Sequence, residues 1–272
     1  MATLYSSRSH SENTEKIAAD ITAVHKAQRP ENWTVILVSG AWHVRFHCEP
    51  PTPYFKDAGY NYIPLPLPAA GGKTSTLEEN LSAISSTIAS ELNKPGQQIA
   101  IILQSAAGLI GTEAINRILA SQPSAAERIR IIYLAAIFEY GPIVTHLASA
   151  GHLRIDDKFE SFWCDTGYEA FYRDDMTEAE AQPYVEALTF QKMIGATLNL
   201  SSEAWRACDL TSVVCLKDKV VPLEWRFKLA EEYGMRIVQM DTGHCPFVTR
   251  PREFAEMVDG VVREGMKTKT VT

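Results

Sequence analysis

Ser105 stands where a buried strand is expected to end, a position from which a strand can present a nucleophile. Residues 98–103 form a continuous apolar run typical of a buried parallel strand, and residues 106–120 have the pattern of a helix. A sharp turn between them would raise the Ser105 hydroxyl above the end of the sheet if its neighbours are small. Small residues do follow it: Ala106, Ala107 and Gly108. The usual G-x-S-x-G glycines are replaced by Leu103 and Ala107, so the motif alone also fits a serine that only caps a helix.

An acid and a histidine follow Ser105 in the order of a catalytic triad. Asp218 comes just after the apolar run 213–216, and His244 comes after the run 236–240 and a glycine turn. One known chain order for such a triad is serine, then acid, then histidine, with each residue just beyond the carboxyl end of a strand. Asp241, three residues before His244, is the alternative acid, although it could instead orient the turn.

These three residue types together predict acyl transfer without a cofactor. A neutral serine hydroxyl is a poor nucleophile until a base removes its proton, and a histidine with a pKa near 6.5 can do so. The acid holds the imidazole in the useful tautomer and stabilises the imidazolium. His43 and His47 are four residues apart, but no clear third ligand accompanies them, so we expect no metal site.

The composition favours one α/β domain and argues against several classes of partner. The chain has 272 residues, 46% of them hydrophobic and 22% charged, enough for one sizeable core. A formal net charge of −7 argues against nucleic acid or an anionic membrane. No apolar run approaches the roughly 20 residues that span a bilayer, and the first residues lack a secretory signal. Five cysteines without a C-x-x-C pair fit reduced thiols, no disulfide, no structural zinc and a cytoplasmic location.

Strand and helix patterns alternate along most of the chain, which predicts a mainly parallel sheet flanked by helices. The expected core comprises residues 32–137 and 207–265, preceded by an N-terminal extension, residues 1–31, and followed by a loose tail, residues 266–272. The alternation stops over residues 138–206, which we expect to form a helical cap above the active-site end of the sheet. The cap or the extension could also support a homodimer.

The expected cap is dense in aromatic residues. Most of them must pack the cap against the core, and a few are expected to line a pocket. We predict that Trp163, Phe171 and Tyr172 do so. A pocket of this kind favours a compact apolar substrate that a few polar groups orient.

Four segments together resemble the α/β-hydrolase superfamily, and within it the small capped esterases that include plant methylesterases and hydroxynitrile lyases, most nearly a fungal branch of hydrolases. The segments are residues 38–43, 103–113, 218–222 and 243–251. As a set they are specific, and they extend over about residues 33–262. Gln104 departs from this pattern, because relatives usually carry histidine there. The run of Ala106, Ala107 and Gly108 departs from it as well, where relatives have paired glycines.

The resemblance implies roles for further residues. It places the oxyanion donors at the backbone amides of Ala41 and Ala106, and it suggests that Trp42, His43 and Gln104 line the substrate pocket. The function it implies is hydrolysis of a small apolar carboxylic ester or lactone through an acyl-enzyme, in fungal secondary metabolism. A lyase or cyclase that uses His244 as general base is the alternative. A catalytically silent binding protein is a third, suggested by the altered turn around Ser105.

Overall fold

The structure is a computed structural model that describes residues 32–156, 160–196 and 198–269. The N-terminal extension expected over residues 1–31 and the last three residues of the expected tail lie outside these ranges. Within them, no helix combines the length and the apolar character needed to cross a membrane.

A parallel sheet of six strands forms the centre of the described chain, in the order β2-β1-β3-β4-β8-β9. A smaller antiparallel sheet has the order β5-β6-β7. The strands are β1 (Trp33–Ser39), β2 (Asn61–Pro66), β3 (Gln98–Gln104), β4 (Ile129–Leu134), β5 (Leu153–Asp156), β6 (Ser161–Cys164), β7 (Gln191–Lys192), β8 (Asp209–Cys215) and β9 (Arg236–Met240).

Helices connect the strands of the parallel sheet and flank it. They are α1 (Arg45–Cys48), α2 (Thr52–Asp57), α3 (Leu77–Leu92), α4 (Ala107–Ser121), α5 (Tyr140–Ser149), α6 (Gly167–Phe171), α7 (Glu178–Glu186), α8 (Leu223–Glu232), α9 (Pro246–Thr249) and α10 (Pro251–Lys269). Two short 3₁₀ helices cover Pro123–Arg128 and Ala204–Ala207. The predicted mainly parallel sheet flanked by helices is thereby confirmed. Helix α10 runs to Lys269, so the first residues of the expected loose tail are helical.

Continuous apolar runs account for the inner strands. Every residue of β1 and β4 is buried, as are all residues of β3 after Gln98. Ile101 of β3 pairs with Ile36 on one side and with Ile131 on the other. Strands covered on both faces need this kind of sequence, and β3 therefore delivers Ser105 from the middle of the core.

The segment between β4 and β8 forms a cap of mixed structure. The sequence predicted a helical cap, but β5 and β6 lie between α5 and α6, and β7 follows α7. Residues Leu153–Asp156 pair antiparallel with Ser161–Cys164. The turn that leads from α5 into β5 contains Gly151, whose φ is +74°. Aromatic Phe162 and Trp163 suit a strand better than a helix, because such side chains pack well on a pleated, half-buried surface.

Candidate active site

Ser105 occupies a strained turn between β3 and α4. Its φ is 52°, in the left-handed region that residues with a Cβ rarely adopt. The Ser105 amide donates to Leu134 O at 3.0 Å, and Ser105 O accepts from the amides of Gly108 and Ile137 at 2.9 and 3.1 Å. These bonds hold the turn in place against its strain, as is common at functional sites.

The close approach of strand and helix is made possible by glycines that lie beyond the turn. A Cβ on Gly111 would lie 2.2 Å from Leu103 Cδ2, and a Cβ on Gly108 would lie 2.5 Å from Ile137 O. Leu103 therefore replaces the usual glycine before the nucleophile because Gly111 leaves room for it. Sequence analysis missed Gly111, whose signal was a glycine inside an otherwise regular helix pattern.

Asp218 and His244 form a buried pair beyond the ends of β8 and β9. His244 Nδ1 lies 2.9 Å from Asp218 Oδ2, and neither side chain is more than 1% exposed. Asp218 Oδ1 accepts from the amides of Val220 and Val221 at 2.7 and 3.2 Å. In the neutral ring Nδ1 carries the proton that faces the carboxylate, so Nε2 remains as the basic nitrogen.

Asp241, the alternative acid, lies at the surface. Its side chain is 75% exposed and pairs with Lys217 Nζ at 2.9 Å. The structure therefore brings Asp218, and not Asp241, to His244.

Arg226 is a third member of this buried group that sequence analysis missed. It lies on α8, its side chain is 2% exposed, and its Nη1 is 3.0 Å from Asp218 Oδ2. Burial by itself raises the pKa of Asp218, but His244, Arg226 and the Val220 amide outweigh that effect and hold this pKa below its usual value. The Asp218 carboxylate is consequently kept ionised. Nothing in the local sequence marked Arg226, since the residue types around it are those of an ordinary surface helix.

A narrow apolar cavity lies above Ser105. Its volume is about 20 Å³, and Ala41, Ala106 and Trp42 line it together with Ser105. Among the hydrogen bonds of residues 32–156, 160–196 and 198–269, none uses the amide of Ala41 or Ala106. Both amides are thus available to a ligand at the serine. In the same part of the chain, Ser105 Oγ makes no hydrogen bond to His244, an arrangement that substrate often tightens.

Residues 35–257 match the alpha/beta hydrolase family. The chain belongs to this family. Similar solved structures include a pyrethroid hydrolase from Sphingobium faniae JZ-2, with a TM-score of 0.64 and 17% identity over 84% of this chain and 96% of that one. Tomato methylketone synthase I with 2-tridecanone has a TM-score of 0.67 and 15% identity over 86% and 98%.

Polyneuridine aldehyde esterase is similar to the same degree, with a TM-score of 0.67 and 15% identity over 85% of this chain and 99% of that one. At such identities these structures show the fold alone. No match was found among curated protein sequences. The family match confirms the resemblance to the α/β-hydrolases, and these solved structures share the fold.

Of the residues expected to line the pocket of this α/β-hydrolase, the structure places Trp42 on the cavity wall. Trp163 instead packs against Phe190, with ring centroids 5.5 Å apart, beside a separate pocket near Lys73. The reason is that β6 turns alternate side chains to opposite faces, and Phe162, its neighbour, takes the cavity side. The remaining cavity wall was missed and consists of Ile137, Tyr140, Ile143, Val144, Leu147, Phe162 and Val220.

His43, Phe171 and Tyr172 meet at the contact between cap and core, outside the wall of this cavity. His43 Nδ1 donates to Ala41 O at 2.7 Å, and Tyr172 Oη lies 3.3 Å from His43 Nε2. The Phe171 ring centroid lies 5.0 Å from that of His43 and 5.7 Å from that of His244. Burial lowers the pKa of His43 well below its usual value, with the nearby charge of His47 acting in the same direction. These residues therefore pack between the cap and the core next to His244 and do not line the cavity.

Gln104, also expected at the pocket, is fully buried beneath the loop that follows β1. His47, the other member of the histidine pair, accepts from the Val44 amide at 3.0 Å and donates from Nε2 to Tyr184 O at 2.9 Å. Both of its ring nitrogens therefore serve the structure.

Proposed function

We propose that this α/β-hydrolase cleaves a small apolar carboxylic ester or lactone through an acyl-enzyme on Ser105. The observation that carries the proposal is that Ser105 shares one apolar cavity with the Ala41 and Ala106 amides, which no described residue accepts from. Free amides beside a nucleophile are what an oxyanion hole requires. The buried Asp218–His244 pair supplies the base.

Each residue has one part in the proposed reaction. Ser105 Oγ bonds to the carbonyl carbon as its proton passes to His244 Nε2, and the carbonyl electrons move onto oxygen. The resulting oxyanion accepts from the amides of Ala41 and Ala106. Collapse breaks the carbon–alkoxide bond, and His244 returns its proton to the departing alcohol. A water then attacks the acyl-enzyme by the same steps, which restores Ser105.

The cavity wall limits the class of substrate. Besides Ser105, most lining residues are apolar, and the Tyr140 hydroxyl is already used, since it donates to Ala106 O at 3.0 Å. An acyl group with few polar atoms suits this wall, because an unpaired polar group would lose its hydration there. A role in fungal secondary metabolism, a cytoplasmic location and a homodimer stay predictions from the sequence.

A lyase or cyclase that uses His244 as general base is the second candidate. It is favoured by the separation of Ser105 Oγ from His244, which make no hydrogen bond within the described residues. A general base that acts on the substrate directly does not need that bond.

Labelling with a small fluorophosphonate tests the proposal, because such reagents react with a serine only where a base and an oxyanion hole assist. We expect one adduct by intact mass, on Ser105, and turnover of small acetate or methyl esters. Ser105→Ala should abolish the adduct and lower turnover by about 10⁴ to 10⁶-fold, and His244→Ala should weaken labelling greatly. Ser149→Ala, an exposed serine at the end of α5, is the matched control and should label normally.

The other outcomes separate the alternatives. Labelling of the wild type without turnover of any ester or lactone would favour the lyase or cyclase. A folded wild-type protein that is never labelled would favour the silent binding protein.

A further inference from the structure

Two fully buried glutamines lie on either side of the amide assigned to the oxyanion hole. The Gly40 amide donates to Gln104 Oε1 at 2.6 Å, and the Trp42 amide donates to Gln191 Oε1 at 3.4 Å. Both glutamine side chains are wholly inaccessible to solvent. Between them, the Ala41 amide has no acceptor among the described residues. Of three consecutive amides, the outer two are therefore satisfied by side chains and the middle one is left free.

The two glutamines reach the loop from opposite sides. Gln104 is the last residue of β3, directly before Ser105, whereas Gln191 begins β7 in the cap. A Cβ on Gly40 would lie 2.7 Å from both Gln104 Oε1 and Ser105 Cβ, so the loop rests directly on the nucleophile turn. The Gln191 amide group is itself oriented, because its Nε2 donates to Lys192 O at 3.1 Å.

The cap also holds Trp42 in an unfavourable backbone conformation. The φ of Trp42 is 67°, which a residue with a Cβ adopts only at a cost in free energy. Thr189 N donates to Trp42 O at 3.1 Å, and Trp42 Nε1 donates to Phe162 O at 3.2 Å. With Gln191, three hydrogen bonds thus run between Trp42 and the cap.

We propose that Gln104 and Gln191 are positioning residues that direct the Ala41 amide at the oxyanion, so that docking of the cap completes the oxyanion hole. The inference rests on the proposed function. An oxyanion donor is effective only when it is oriented before the reaction, because reorientation during the reaction would cost free energy. The bonds to the Gly40 and Trp42 amides hold the peptide planes on either side of the one that carries the Ala41 amide, while an acceptor for the Ala41 amide itself would remove the donor.

Methionine variants of the full chain test this, since methionine nearly matches the volume of glutamine but cannot accept the bond. Gln104→Met and Gln191→Met should each slow phosphonylation of Ser105, and kcat for an ester that the wild type cleaves, by about 10- to 100-fold with KM changed less than about twofold. Gln104→Glu keeps an acceptor oxygen and should recover most of that loss, because Gln104 Nε2 has no partner among the described residues that the change would forfeit. Gln239→Met, at an exposed position of β9, is the control and should match the wild type.

A second measurement on the wild type needs no variant to fold. In spectra of the ¹⁵N-labelled chain, the phosphonyl adduct should move the Ala41 amide proton downfield and leave those of Gly40 and Trp42 close to their original positions. Wild-type reaction rates in both methionine variants, or a downfield shift at Gly40 or Trp42 in place of Ala41, would overturn the inference and leave the proposed function standing. A wild-type chain that never labels would instead remove the proposed function, and this inference with it.

Discussion

At the scale of single residues, Asp218 is set apart from the other acids near His244 by its surroundings. Two cationic or potentially cationic groups, His244 and Arg226, share its Oδ2, and two backbone amides donate to its Oδ1. A buried carboxylate needs such partners, since burial alone favours its neutral form. Asp241 has a similar place in the chain but sits in solvent beside Lys217. The environment, more than the residue type, therefore assigns the acid role.

Replacing the two acids by asparagine tests that assignment. Asp218→Asn preserves shape but favours the wrong imidazole tautomer, so kcat for ester cleavage should fall by about 10³ to 10⁴-fold. Asp241→Asn, the matched control, removes an exposed ion pair and should change kcat less than about twofold. Steady-state kinetics on the same ester measure both. The reverse ranking would transfer the acid role to Asp241.

At the scale of elements, the contact of β3 with α4 decides whether Ser105 can occupy its turn. Leu103 fills the space that Gly111 leaves on the helix, with both Leu103 methyl carbons within 2.8 Å of where a Gly111 Cβ would be. The strand and the helix are thus matched in shape at Leu103 and Gly111. We expect this pair to be coupled energetically, as contacting residues in a packed core usually are.

A double-mutant cycle on this pair measures the coupling. Gly111→Ala should lower the free energy of unfolding by about 1 to 3 kcal/mol, because the new Cβ overpacks the core against Leu103. In a Leu103→Ala background the same change should be neutral or stabilising, since alanine is the better helix former. Gly260→Ala, in α10 with open space around it, is the control and should stabilise by up to about 1 kcal/mol. Urea unfolding of the four proteins of the cycle and of the control measures these changes, and additive effects of Gly111→Ala and Leu103→Ala would contradict the proposed fit.

At the scale of the whole molecule, two buried histidines help to join the cap to the core. His47 donates to Tyr184 O of α7, and His43 lies between Ala41 O and the hydroxyl of Tyr172. Burial lowers the pKa of both rings, so the folded protein keeps them neutral. An unfolded histidine has a pKa near 6.5 and takes up a proton more readily. The stability that these histidines contribute is thus complete above pH 6.5 and is lost as the pH falls toward their folded pKa.

The stability of the protein should therefore decline in mild acid. Below pH 6.5 each of the two histidines should lower the free energy of unfolding by up to about 1.4 kcal/mol per pH unit, because only the unfolded chain binds the proton. Urea unfolding between pH 8 and pH 5 measures this slope. His47→Gln can still donate to Tyr184 O and accept from the Val44 amide, and it should remove about half of the slope. An identical pH dependence in wild type and His47→Gln would contradict the account.

The sequence alone determined which segments form the parallel strands and that Ser105, Asp218 and His244 each follow one of them, because these depend on patterns among near neighbours in the chain. A continuous apolar run followed by small residues, or by an acid and a proline, shows where a buried strand ends regardless of what packs on it. The strands of the parallel sheet were therefore readable around the site. The strands of the cap were not, since they are only 4, 4 and 2 residues long, too short for a periodic pattern to distinguish a strand from a helix.

Only the tertiary structure decided which distant side chains support the site. Gln104 contacts Gly40 across 64 residues of chain, and Gln191 contacts Trp42 across 149. No local pattern encodes these hydrogen bonds, because the first forms only where β3 packs against the loop after β1 and the second only where the cap does. Trp163 faces away from the cavity because the packing of the cap decides which face of β6 meets the core. Burial and pairing of polar groups are properties of the packed chain, and packing joins residues that the sequence keeps far apart.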